Sequence, residues 1–127
     1  MVKHKFNSED PVIVLYVELE GKIKVRPKMA LDTGATYTMI PWEIAEALGL
    51  KPELSKEKVD IITASGVEKA PLVILTSVSV LGKRVSNVKA VIHDLPPKSY
   101  VDGLLGLSFL KKFNINLNFK EGVLEIE

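Results

Sequence analysis

Five consecutive residues, Asp32-Thr33-Gly34-Ala35-Thr36, put a carboxylate and two hydroxyls directly after the apolar run Met29-Ala30-Leu31. An aspartate in a sharp turn at the end of a buried strand loses solvation, while nearby backbone N–H groups and hydroxyls can hold it for acid or base chemistry. Gly34 lets a second backbone approach closely, and Ala35 keeps the surroundings small. The same tripeptide is also an ordinary turn, since Asp, Thr and Gly all favour one. Asp102-Gly103 is the other aspartate beside a glycine. It leaves two readings open: an intrachain acid/base partner for Asp32 in a monomeric enzyme, or a turn that caps the approach to Leu104-Leu105-Gly106.

Other chemistries find no support. His4 and His93 are too few and too separated in sequence for a histidine metal site, and no His-Glu-x-x-His stretch occurs, so no metal ligands are assigned. Ser65, Ser79 and Ser108 lack the Gly-x-Ser-x-Gly setting of a serine nucleophile. With no cysteine there is no disulfide framework, thiolate zinc site, iron–sulfur cluster or thiol nucleophile, and the compartment expected is the reducing cytoplasm. Seventeen basic residues against 16 acidic give a net charge of +1, evenly spread, which argues against a nucleic-acid partner or a polybasic membrane surface. No apolar run is long enough for a membrane span. Met1-Val2-Lys3-His4-Lys5 has no apolar run behind its charges, so a secretory signal is not expected either.

The elements that must position Asp32 are mostly strands. A chain of 127 residues suits one domain, and Val, Ile and Leu supply most of its apolar content. Residues 1–10 read as a polar arm, loose or ordered by a partner, ahead of a domain at 11–127. Residues 12–19 are apolar on both faces, as in a central strand. Glu20-Gly21 turns them into an alternating strand at 22–26, and 28–31 is a further strand leading to Asp32. Pro41 suits the first turn of a helix that Gly49 closes, with Trp42 packing its start against the barrel. After a charged loop at 51–58, strands at 59–64 and 67–81 meet at Ser65-Gly66, and Pro71 makes part of the second an edge. A strand at 84–92, a short helix at 107–113 and a closing hairpin around Glu121-Gly122 complete about eight strands and two short helices.

Taken in order, Ala30-Leu31-Asp32-Thr33-Gly34-Ala35-Thr36, Met39-Ile40-Pro41, Thr63-Ala64-Ser65-Gly66 and Asp102-Gly103-Leu104-Leu105-Gly106-Leu107-Ser108-Phe109-Leu110 resemble the single-domain retropepsin-like aspartic proteases. The resemblance covers roughly residues 12–127. It implies an all-β fold, a closed barrel with two short helices. It also implies that Asp32 is the catalytic aspartate, with Thr33, Gly34, Ala35 and Thr36 as scaffold. Ala64, Ser65, Gly66 and Val67 become the flap, and Leu104, Leu105 and Gly106 the psi-shaped loop. Acid protease chemistry needs two carboxylates sharing one proton, and a chain with one Asp-Thr-Gly reaches that as a C2 homodimer. The implied activity is peptide-bond hydrolysis of a peptide or protein substrate by a water held between two Asp32 carboxylates, with no cofactor. The same fold kept as a non-catalytic dimeric peptide-binding or assembly module is the alternative. Retroviral members have an arginine where this chain has Leu107, and family dimers often interleave terminal strands, as residues 123–126 could.

Overall fold

Glycine, proline and charged residues cut the chain into short extended pieces. In the computed structural model, which describes residues 1–127, these are β1 (Val2–Lys5), β2 (Val14–Tyr16), β3 (Glu18–Glu20), β4 (Lys24–Val25), β5 (Lys28–Leu31), β6 (Thr38–Ile40), β7 (Lys58–Thr63), β8 (Gly66–Val80), β9 (Lys83–Ile92), β10 (Gly103–Leu105), β11 (Ile115–Asn118) and β12 (Val123–Ile126). Helices α1 (Trp42–Ala47) and α2 (Leu107–Leu110) are short, and Pro52–Leu54 forms one 3-10 turn. The class is all-β, as expected. None of the helices is long and apolar enough to cross a membrane.

Nine strands make one sheet in the order β2-β5-β10-β6-β9-β8-β3-β4, with β7 attached to β8. β2 and β3 are separated only by Val17, whose N–H donates to the Pro27 carbonyl at 3.0 Å. β2 pairs with β5 and β3 with β8, so this one segment spans from one edge of the sheet to its far side and curls it. No ladder joins β2 to β4, so the expected closed barrel is instead a half-barrel. The central strand expected at 12–19 is likewise split, and β2 lies at the sheet's edge with Tyr16 59% exposed.

The second sheet has three strands, β1-β12-β11. The arm expected to be loose or partner-ordered supplies β1, which pairs antiparallel with β12 from Val2↔Ile126 to Lys5↔Val123. Its partner is more than a hundred residues away in sequence, so no local pattern announces it. β12 therefore has neighbours from its own chain on both edges. Leu124 and Ile126 point from it into the main core, beside Leu15, Met29, Ile40 and Phe109, and join the two sheets into one hydrophobic interior. Burying each such side chain contributes about 1.5–3 kcal/mol relative to exposure.

Candidate active site

β10 lies between β5 and β6, parallel to the first (Met29↔Gly103, Leu31↔Leu105) and antiparallel to the second (Leu104↔Met39). Asp32 is the first residue beyond β5, and its N–H donates to the Leu105 carbonyl at 3.0 Å. The chain then turns tightly. The Gly34 N–H donates to Asp32 Oδ1 at 2.8 Å, and the Ala35 N–H to the Asp32 carbonyl at 3.3 Å. One carboxylate oxygen is thus fixed by the turn, while Oδ2 accepts no hydrogen bond within the protomer. Asp32 is half-buried, and Thr33, Gly34 and Thr36 are exposed around it. A Cβ on Gly34 would stand 3.2 Å from Asp32 Oδ1, so glycine keeps that oxygen uncrowded.

The strand end carrying Leu104, Leu105 and Gly106 threads beneath this turn. A Cβ at Gly106 would lie 2.5 Å from the Tyr37 carbonyl oxygen and 2.7 Å from that of Ala35, so only glycine fits. Leu107 N–H donates back to the Ala35 carbonyl at 2.8 Å. The hydroxyl that ties the two loops together is Thr38, fully buried, which sequence reasoning missed. Its Oγ1 accepts from the Gly106 N–H at 3.2 Å and from the Ser108 hydroxyl at 3.1 Å, while the Thr38 N–H donates to Ser108 Oγ at 2.9 Å. Thr36 and Thr38 are equivalent by type. Only the register of β6, which turns Thr38 inward, separates them.

Asp102 is not brought to Asp32. Its Oδ2 accepts the Lys28 N–H at 2.9 Å and its own N–H donates to the Lys28 carbonyl at 2.7 Å, which clamps it to the start of β5. That is four residues, about 13 Å, from the strand end where Asp32 sits. Asp102 thus turns the approach to β10, and the intrachain carboxylate pair does not form.

Above the loops, β7 pairs with the first part of β8 from Lys58↔Pro71 to Thr63↔Gly66. The turn is Ala64-Ser65, one residue earlier than expected, and Gly66 opens β8 at φ +126°, a conformation that favours glycine. Thr63 Oγ1 donates to the Gly66 carbonyl at 3.1 Å and accepts the Ser65 N–H at 3.3 Å, tightening the tip. β8 parts from β9 at Pro71, which has no N–H to offer, and β8–β9 pairing begins at Leu72↔Val91. Val59 and Ile61 pack with Ala70, Leu72 and Val91 near Tyr37 and Met39, and a cleft of about 360 Å³ runs from Gly34 and Thr36 past Tyr37 and Met39 to Ile61. His93 secures the hairpin from below: Nε2 is 2.9 Å from Glu68 Oε2 on β8 and Nδ1 is 2.8 Å from the Asp94 carbonyl. Both ring nitrogens therefore lie within hydrogen-bond distance of an oxygen. His4 lies in β1, and Trp42 packs partly buried against the core while its backbone N–H donates to Asp94 Oδ1 at 3.0 Å. Nowhere do three or more acidic or histidine side chains converge as metal ligands.

Residues 15–109 match the family model described as Aspartyl protease. The chain belongs to the aspartyl protease family. Among solved structures, this aspartyl protease family member is similar to a retropepsin-like aspartic protease from Rickettsia conorii. The TM-score is 0.76 and the identity 25%, covering 98% of this chain and 88% of that one. No curated protein sequence matches it. The retropepsin-like family expected from the order of its motifs is therefore the observed one. In this aspartyl protease chain the Asp-Thr-Gly turn, through Gly34, and the β7–β8 hairpin, through Val59, Asp60, Ile61 and Ile62, line one cleft.

Proposed function

We propose that the chain is a homodimeric aspartic endopeptidase in which the Asp32 carboxylates of two protomers face each other across a twofold axis. The observation that carries this reading is Asp32 itself: Oδ1 is held by the Gly34 N–H, Oδ2 is left without a partner in the protomer, and the turn that carries it opens through Gly34 and Ala35 into the cleft. One such carboxylate is half of an acid/base pair, and symmetry supplies the other half. Two carboxyl groups in contact cannot both ionise, so the pair holds one shared proton.

The ionised Asp32 takes a proton from a water between the two, and the water oxygen bonds to the scissile carbonyl carbon. The protonated Asp32 gives its proton to the carbonyl oxygen, forming a neutral tetrahedral diol. The Asp32 that took the water's proton then gives it to the amide nitrogen while the other, now ionised, Asp32 takes a proton from one diol hydroxyl. The C–N bond breaks, releasing an amine and a carboxylic acid and restoring the one shared proton. Thr33, Gly34, Ala35 and Thr36 hold the carboxylate, and Leu104, Leu105 and Gly106 brace it from beneath. Ala64, Ser65, Gly66 and Val67 close over an extended peptide and exclude water. The chemistry needs no cofactor. A cysteine-free chain needs no oxidising compartment, and the reading places the enzyme in the cytoplasm.

The test is cleavage of an unfolded protein and a peptide library from about pH 3 to about pH 8, at a concentration where light scattering gives the dimer mass. The expected result is cleavage that is strongest in acid, falls as the shared proton is lost, and drops by about 10³-fold or more in Asp32→Asn. Cleavage that survives the substitution, or its absence from a folded dimer, overturns the reading. The second outcome leaves a peptide-binding or assembly module.

A further inference from the structure

The cleft beneath the hairpin does not end at Tyr37. Thr36 and Tyr37, which form part of its wall, also line a second groove of about 280 Å³ that continues past Asn87 to Lys89, Lys111 and Lys112. Lys89 comes from β9, and the other two lysines from the turn that follows α2. All three are exposed, none pairs with a carboxylate, and no acidic residue lines the groove. In a chain whose net charge is only +1, this is a local excess of positive charge next to the candidate active site.

We propose that Lys89, Lys111 and Lys112 make the enzyme select peptides with Asp or Glu side chains flanking the cleaved bond. The inference rests on the endopeptidase reading and adds a substrate class to it. A peptide extended along the cleft leaves it over Thr36 and Tyr37, and its next side chains meet the lysines. Twofold symmetry places the same groove at each end of the cleft, so the preference applies on both sides of the bond. Each exposed pair contributes little, and three together amount to about tenfold in affinity. The effect weakens with salt and acts largely on association rate. It also fades below the carboxylate range, about pH 4, where the peptide's own charges are lost.

The experiment measures binding separately from cleavage. Labelled peptides sharing one apolar centre and flanked by Glu, Gln or Lys are titrated by fluorescence anisotropy into the Asp32→Asn dimer near pH 5.5, at about 20 mM and about 300 mM salt. The expected result is about tenfold tighter binding of the Glu-flanked peptide than of the Lys-flanked one at low salt, shrinking at high salt. The preference disappears in the triple variant Lys89→Gln, Lys111→Gln, Lys112→Gln and reverses when the same positions become Glu. Equal affinities, a preference unchanged in either triple variant, or no binding of any peptide by a folded dimer overturns the proposal. Cleavage of the same peptides by the wild type tests the endopeptidase reading separately: a selective dimer that cleaves nothing retains the groove and loses the protease.

Discussion

At the residue scale, the candidate site depends on two positions whose freedom is nearly nil. Gly106 has carbonyl oxygens at 2.5 and 2.7 Å from where a Cβ would go, both of them backbone. Gly106→Ala must push apart the loops that hold Asp32. A loss of about 3 kcal/mol or more is expected, read as a lower denaturation midpoint. Thr38 tests the hydrogen bonds instead of the space. Thr38→Val keeps the shape but leaves the Gly106 N–H and the Ser108 hydroxyl without their buried acceptor, at about 1–3 kcal/mol, whereas Thr38→Ser keeps the oxygen. Equal stability of the Val and Ser variants would show that the hydroxyl has no structural part. Asp32 and Gly106 were legible in the sequence because each sits inside a contiguous motif. Thr38 and Ser108 were not, because their meeting brings β6 against α2, 70 residues away in sequence.

At the element scale, strands with a local signature were readable and those defined by a distant partner were not. Residues 28–31, with an apolar run ending at a polar turn, gave β5 with its observed bounds. β1, β6 and β10 escaped because three or four residues carry too little alternation to stand out from loop. The closed barrel failed for a related reason: closure is a property of which edges pair, and composition does not encode it. Among the elements, the β7–β8 hairpin is held by packing near its base and by a side-chain tether from His93 to Glu68 midway along it. His93→Phe should raise amide hydrogen exchange across residues 58–71 while leaving the global midpoint within about 1 kcal/mol, since the tether is a partly exposed pair. A second contact couples three strands of the half-barrel. Glu20 on β3 accepts from the buried Ser77 hydroxyl on β8 at 2.9 Å and faces Arg84 on β9 at 3.6 Å. The Ser77 hydrogen bond first, then Lys24 and Arg84, hold its carboxyl below the ordinary 4.5. A carboxyl depressed in the folded state contributes stability that is present above its unfolded value and lost as pH falls through its folded one. Glu20→Gln should therefore be less stable than wild type near neutrality, and the gap should narrow below about pH 4.5 in thermal melts.

At the scale of the whole molecule, the proposed site is completed by a second protomer, which brings the other carboxylate. The terminal strands bear on how that second one arrives. β12 is already flanked by β1 and β11, and Asn114 and Glu127 exchange backbone hydrogen bonds at 3.0 and 2.9 Å beyond the last pair. A partner finds no vacant edge on β12 to complete, so strand exchange through it is not needed to finish either fold. Folding and pairing then become separate equilibria. In the proposed dimer, dilution should yield intact protomers with unchanged circular dichroism. In the dilute limit the velocity should scale with the square of chain concentration, returning on reconcentration without a refolding lag. The enzyme would then read its own abundance, silent when scarce and active once its copies are numerous enough to meet.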